Sequence, residues 1–167
     1  MSDALPVTGR LESIWIAGEA TERPHRVERA VALRGYGLEG DRYAAQVGTF
    51  SGGVSTSTRD LTLISADAVE HARAAVEDGL LAGDLRRNLV VSGLELPELQ
   101  RARLRIGEVL IEVTGTCPPC GHLDRLLELD SQALLAGRGG MRASILQGGE
   151  LVAGAPITIA RAPRRLP

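Results

Sequence analysis

A single, mainly β, barrel-like domain is the fold this sequence predicts, and three observations predict it. Short runs rich in β-branched residues recur along the chain, several of them alternating apolar and polar positions. Glycine-bearing turns separate many of them, at 34–40, Gly52–Gly53, Gly93, Gly107, Gly139–Gly140 and Gly148–Gly149. Helical signals are few, and they are inserted between strands rather than alternating with them as a wound βαβ sheet requires.

The strand runs, in chain order, are LESIWIA (11–17), RVERAVAL (26–33), LTLI (61–64), NLVV (88–91), VLIEVT (109–114), RASIL (142–146) and PITIA (156–160). In VLIEVT, Val109, Ile111 and Val113 alternate with Glu112 and Thr114, the pattern of a strand with one buried face. Ser65 is placed to cap a helix from Ala66 to about Asp78, with Val69, Arg73, Val76 and Leu80 along one side and Gly79 ending it. His122 to Glu128 puts Leu123, Leu126 and Leu127 on one face of a second helix. Ser131 opens a short third helix that ends at Gly137. No internal repeat is present. The domain is expected to span 9–160, with 1–8 and 161–167 as loose ends.

At 167 residues the chain is long enough to bury one core without disulfide or metal staples. That core is aliphatic, because the chain offers one Phe, one Trp and two Tyr. So few aromatics give no platform for stacking bases. A formal net charge of −2 gives no global field that draws in DNA or RNA. No nucleic-acid partner is therefore expected. No signal peptide is visible at the N-terminus, and no apolar run approaches the ~20 residues of a membrane span. Two closely spaced cysteines in an otherwise cysteine-free chain suit a reducing compartment, so cytoplasm is the expected location and no membrane partner is expected. Oligomeric state leaves no mark in the sequence.

Both cysteines lie in TGTCPPCGHLD, at Cys117 and Cys120. A redox pair of the thioredoxin type sits at a helix N-terminus in a βαβ setting, and VLIEVTGTCPPC supplies the strand-to-helix half of that. A structural zinc site needs four ligands. Beyond the two cysteines there are only His25, His71, His122 and carboxylates, with no second CxxC and no HxxxH. A single thiolate at a strand end, activated by the amides of the helix that follows, is a third reading; it suits a soft or high-valent metal or a persulfide. Two inert, buried cysteines are the fourth, although Pro118 and Pro119 stiffen the turn that presents the second thiol.

Other chemistry-bearing residues are scattered. In DLRRNLVVSGLEL, Arg86, Arg87 and Asn88 precede an apolar strand, and an Arg fork with an amide is a natural grip for phosphate or carboxylate. A solvated strand end would look the same. RGYGLEGDRYA (34–44) concentrates Gly35, Gly37, Gly40, Asp41 and Arg42, a ligand-shaping turn or simply a turn, without the spacing of a dinucleotide site. Arg59 and Arg142 each enter a strand, as an anion contact or a surface charge.

The order of these segments is more specific than any one of them. GLEGDRYA, R-x-LTLI, RRNLVVSGL, IGEVLIEVTGTCPPCGHLD and GGMRASILQGGELVAGAPI, taken from Leu11 to Ile159, resemble the MOSC domain, named for the C-terminal part of molybdenum cofactor sulfurase. The chain is most similar to the small, free-standing bacterial members that carry a C-x-P-C pair. The resemblance implies a mostly β fold with a barrel core. It implies a molybdenum-cofactor-binding protein in which Cys120 ligates molybdenum held by the pterin dithiolene, as in relatives that reduce N-oxygenated substrates. These include the mitochondrial amidoxime-reducing component and bacterial reductases of N-hydroxylated bases. Arg87, Asn88 and Thr114 match positions that hold the cofactor's phosphate and pterin, and Arg59, Arg86 and Arg142 extend the set.

Two alternatives accompany this expectation. In a sulfur carrier, Cys120 takes sulfane sulfur as a persulfide for metal–sulfur cofactor assembly, and Cys117 releases it through a transient disulfide. The chain contains no lysine, so it cannot bind pyridoxal phosphate as a Schiff base and would need a cysteine desulfurase as partner. In a non-enzymatic module, the same residues bind an anion or metal. The reductase reading needs a separate electron-transfer protein, since no flavin, haem or iron–sulfur motif is present.

Overall fold

The computed structural model describes residues 7–19, 22–41, 60–76, 80–117 and 134–162. β1 (Val7–Ile16) is the strand on which the architecture turns. Its first half pairs antiparallel with β11 (Pro156–Arg161), Val7 opposite Thr158, and its second half pairs with β6 (Leu89–Ser92) and β2 (His25–Val27). Register shifts at Val7/Gly9 and Leu11/Ser13 let one strand serve three partners, because an extra residue bends the strand and re-aims its edge.

The remaining strands are β3 (Arg29–Leu33), β4 (Gly37–Leu38), β5 (Leu61–Ser65), β7 (Arg103–Ile106), β8 (Val109–Thr116), β9 (Met141–Gln147) and β10 (Gly149–Val152). The large sheet runs β11-β7-β8-β9-β5-β6-β1-β2, and the β1–β11 pairing closes seven of these strands into a barrel. Closure removes the two unpaired edges an open sheet would present. A small sheet, β10-β3-β4, packs beside it. The predicted mainly β, barrel-like fold is what the chain adopts.

The barrel interior is aliphatic, filled by residues such as Leu11, Leu61, Leu63, Leu89, Leu104, Ile111 and Val113. A second cluster lies outside the barrel wall, where Trp15, Ile64 and Val90 meet Val69 and Ala72 of α1 (Ala66–Ala75), together with Leu85 and Leu135. In β5, neighbouring side chains thus feed different clusters: Leu61 and Leu63 point inward and Ile64 points toward the helix. That is why LTLI reads as a continuous apolar run.

Several expectations shift at this scale. RVERAVAL splits at Glu28 into β2 and β3, which join different sheets. β4, β7 and β10 were not among the expected strands, although Arg103 and Arg105 alternate with buried Leu104 and Ile106. Helix α1 begins at the expected cap, the Ser65 hydroxyl accepting from the Ala68 amide at 3.1 Å, and ends at Ala75 because Val76 is extended. One wound unit does occur: β5 and β6 are parallel and α1 crosses between them, as parallel neighbours require. The helix expected at His122–Glu128 lies outside the described residues, as do Ser131 and most of the helix expected after it. Within the described residues, no helix is long and apolar enough to cross a membrane.

Candidate functional site at the mouth of the barrel

The parallel pair organises one end of the barrel. β5 and β6 both finish there, Ser65 beside Val91, and β8 and β9 place Thr116 opposite Met141 at the same end. The C-terminal ends of parallel strands, where a crossover helix begins, are a recurrent place for ligands. Here they border a pocket of about 480 Å³, lined by Ser65 and Ala68 of the helix start, Leu94 to Pro97, Thr116, Cys117 and the 137–141 turn. Cys117 is half-buried in this wall and carries a free thiol. The lining mixes apolar Leu94, Leu96 and Met141 with the charged Asp67, Glu95 and Arg138.

The RRN segment leads into β6 from a 3-10 turn at Ala82–Leu85. Asp84 stabilises the start of that turn by accepting from the Leu81 amide at 2.9 Å. The Arg23 guanidinium grips both Asp84 oxygens, at 2.8 and 2.9 Å, and this hydrogen-bonded carboxylate holds Arg23 more firmly protonated than an ordinary arginine. Arg86 then takes a left-handed backbone (φ 61°), and Asn88 immediately precedes β6.

All three RRN side chains are buried, and each bonds to backbone atoms of other parts of the chain. Arg86 Nη1 donates to the Glu22 carbonyl at 2.7 Å. Arg87 donates from Nε to the Gly139 carbonyl (2.8 Å), from Nη1 to Leu85 (3.3 Å) and from Nη2 to Cys117 (3.0 Å). Asn88 accepts from the Thr62 amide at 3.1 Å through Oδ1 and donates from Nδ2 to the Trp15 carbonyl at 3.2 Å. A buried guanidinium or amide needs such partners, since leaving one unmade costs more than making it gains.

Thr114 and Arg142 meet on neighbouring strands. The Thr114 hydroxyl donates to the Arg142 carbonyl at 3.2 Å, and Gly115 pairs with Arg142 across the β8–β9 ladder. The Arg142 side chain passes over Gly115, where a Cβ would lie 3.4 Å from its Nε. Among the described residues, the half-buried Arg142 guanidinium has no hydrogen-bond or ion-pair partner. It sits two residues along the ladder from Cys117.

Of the sequence-derived candidates, Cys117, Arg86, Arg87, Asn88, Thr114 and Arg142 are thus described, while Cys120, Arg59 and His122 lie outside the described residues. Within the glycine-rich 34–44 segment, residues 34–36 turn from β3 into β4, the buried Asp41 accepts from the Ala17 amide at 3.0 Å, and 42–44 lie outside the described residues. Two buried carboxylates among the described residues escaped the sequence reading, Asp60 and Asp84. Asp60 accepts from the Ile145 amide at 2.7 Å, and burial pushes its carboxyl above the usual range against the pull of the Ile145 and Gly35 amides. Their only signal in the sequence was proximity to glycine turns and strand starts.

A molybdenum pterin group needs a thiolate for the metal and cations for the phosphate. Arg142 suits the second need, its guanidinium lying beside the cysteine-bearing strand end with no partner among the described residues. Asn88 suits it poorly, because both ends of its amide are engaged with backbone. Arg86, Arg87 and Thr114 likewise hold backbone carbonyls and support the site's frame. Among the described residues there is no cluster of three or more His, Cys, Asp or Glu that would hold a metal by itself.

The fold and this site define a small closed β-barrel protein with a thiol at the mouth and a βαβ crossover beside it. A family model of the MOSC domain matches residues 46–158, most of the chain, and the chain belongs to that family. Among solved structures it resembles the YuaD protein of Bacillus subtilis, with a TM-score of 0.74 and 17% identity over 89% of this chain and 93% of that one. It also resembles YiiM of Geobacillus stearothermophilus (TM-score 0.70, 16% identity, 91% of this chain and 75% of that one). YiiM of Escherichia coli is similar as well, with a TM-score of 0.63 and 22% identity over 94% and 71% of the two chains. At these identities the likeness is one of fold. No curated protein matches the chain in sequence.

Proposed function

We propose that this MOSC protein binds a molybdenum pterin cofactor, with the Cys120 thiolate as its metal ligand, and reduces N-oxygenated substrates. The observation that carries the reading is the Arg142 guanidinium, which has no partner among the described residues and lies on the strand beside the one that leads into the cysteines. Arg142 compensates negative charge on the bound group, which a buried or half-buried cation does far better than an exposed one. The frame around it is held by Arg87, Asn88 and Thr114. The pocket beside Cys117 has room for a small molecule. When bound, the cofactor supplies the centre that accepts the substrate's oxygen, and the protein supplies thiolate, orientation and charge. Electrons come from a separate electron-transfer protein.

The test is expression in a host that makes the cofactor, followed by quantification of molybdenum and pterin per chain. Stoichiometric metal in the wild type that disappears in Cys120→Ser is the expected result. A protein purified without either component from such a host would sink the reading.

A sulfur-carrier reading is favoured by a separate observation, the accessible thiol of Cys117 three residues from Cys120. A desulfurase would transfer sulfane sulfur to Cys120 as a persulfide. The Cys117 thiolate would attack the sulfur attached to the Cys120 side chain, forming a Cys117–Cys120 disulfide and releasing the outer sulfur as hydrosulfide to the acceptor. An external dithiol then returns both cysteines to thiols. Cyanide-labile sulfur on Cys120 after incubation with a desulfurase and cysteine, in protein free of molybdenum, identifies this case.

A further inference from the structure

Cys117 and Gly139 stand 22 positions apart and bracket the segment that contains Cys120. They are brought together by two different devices. The Cys117 amide donates to the Gly140 carbonyl at 2.8 Å, a direct backbone tie. The second device is one guanidinium: Arg87 donates to the carbonyls of both Cys117 and Gly139. Gly140 is itself pinned, since its backbone has φ +94° and a Cβ there would collide with the Leu63 carbonyl of β5. Both feet of the segment are therefore referenced to the barrel wall, one through β5 and both through Arg87, two residues before β6.

We propose that Arg87 is a positioning residue for the cysteine segment, holding its two ends in register from within the barrel wall. The proposal rests on the reading above that this segment carries the working thiol. It differs from that reading in what Arg87 does: the side chain sets where the cysteines depart from the fold rather than gripping a ligand's phosphate. Arginine is required because its planar fork presents several N–H groups in fixed directions, so that one buried group reaches two separated carbonyls at once. A lysine ammonium is a point donor on a flexible stem and cannot reproduce that span.

The experiment compares wild type, Arg87→Lys and a control, Leu104→Ala, whose cavity lies in the barrel interior. All are measured as cofactor-free protein, below their unfolding midpoints. Two quantities are read: iodoacetamide alkylation rates of Cys117 and Cys120, resolved by peptide mass spectrometry, and amide hydrogen exchange over the peptides containing Cys117 and Gly140. Losing one charge-assisted bond to each foot is expected to raise these rates about tenfold or more in Arg87→Lys. The control should leave both quantities near wild type even when its thermal midpoint is equally lowered. Wild-type rates in Arg87→Lys, or an equal rise in the control, would overturn the proposal.

A third result overturns it as well: Arg87→Lys losing cofactor loading while alkylation and exchange stay unchanged would make Arg87 a direct ligand. Should Arg87→Lys not fold, wild type alone decides. The Cys117 amide must then exchange as slowly as the mid-strand Val113 amide, which donates to Ala102. Loop-like exchange at Cys117 overturns the clamp. The alkylation and exchange readouts do not involve molybdenum, so an empty protein in the loading experiment leaves them standing.

Discussion

Asn88 and Thr62 bond to each other in both directions. The Thr62 amide donates to Asn88 Oδ1 and the Asn88 amide donates to Thr62 Oγ1, each at 3.1 Å. This exchange stitches the beginnings of β5 and β6, the one parallel pair among the described strands, and Asn88 Nδ2 carries the stitch on to the Trp15 carbonyl of β1. Asn88→Ala leaves buried backbone groups of Thr62 and Trp15 without their partners, and is expected to cost about 2–4 kcal/mol in the cofactor-free protein. Asn88→Asp keeps the acceptor but turns an oxygen toward the Trp15 carbonyl, so it should be as damaging at neutral pH. Urea denaturation measures both, and a loss below about 0.5 kcal/mol in either would show that the stitch is not structural.

Asp60 gives the protein a pH-dependent term. Its folded carboxyl titrates above its unfolded value because burial disfavours the charge. The native state therefore holds the proton longer than the unfolded chain. The contribution is fully present below the unfolded value of about 4 and is lost as pH rises through the folded value. The stability of wild type minus that of Asp60→Asn should fall over this interval and then level. A difference that is flat, or that rises with pH, contradicts the assignment.

Gly83 lies under the indole of Trp15, and a Cβ at that position would overlap the ring. Gly83→Ala should destabilise by about 1–3 kcal/mol, the usual range for overpacking a filled site. Trp15 is the only tryptophan in the chain, so its fluorescence reports the event directly. Its indole N–H donates to the Ser13 hydroxyl at 2.8 Å, and displacing the ring breaks that bond. The emission maximum should move to longer wavelength while the chain is still folded. An unshifted spectrum with unchanged stability would mean that the ring yields freely.

Ser65 ends β5, caps α1 and lines the pocket. Ser65→Ala should cost about 1 kcal/mol and Ser65→Gly only a few tenths, the ordering that a capping role demands. Equal losses in thermal or chemical denaturation would argue against the cap as the source of the effect.

The fold was legible because alternation and turns repeat through the chain: Val109, Ile111 and Val113 of β8 announce their buried face in the letters alone. β7 was equally patterned, yet four residues with two arginines look like a surface turn until a sheet is known to pack on them. β4 and β10 are two and four residues long, too short for periodicity to speak. The parallel β5–β6 pairing was not legible either, since a single crossover helix among many strands does not produce an alternating βαβ pattern. At the site, sequence could find the residues with unusual chemistry but not their direction. Arg86, Arg87 and Asn88 look like a ligand grip when their partners are unknown, and the carbonyls they reach lie up to 73 positions away.

The pairing of β1 with β11 has a consequence for how the molecule comes into being. A chain made from its N-terminus produces the Val7 strand long before that strand's partner on one side, around Thr158. Until then β1 and β7 each keep an exposed edge, and the aliphatic interior they enclose is open to water and to other chains. The seam therefore forms only after every strand between β1 and β11 has been synthesised, and variants that weaken the Val7–Thr158 seam should show their defect first as aggregation of nascent protein, before any change in the finished barrel.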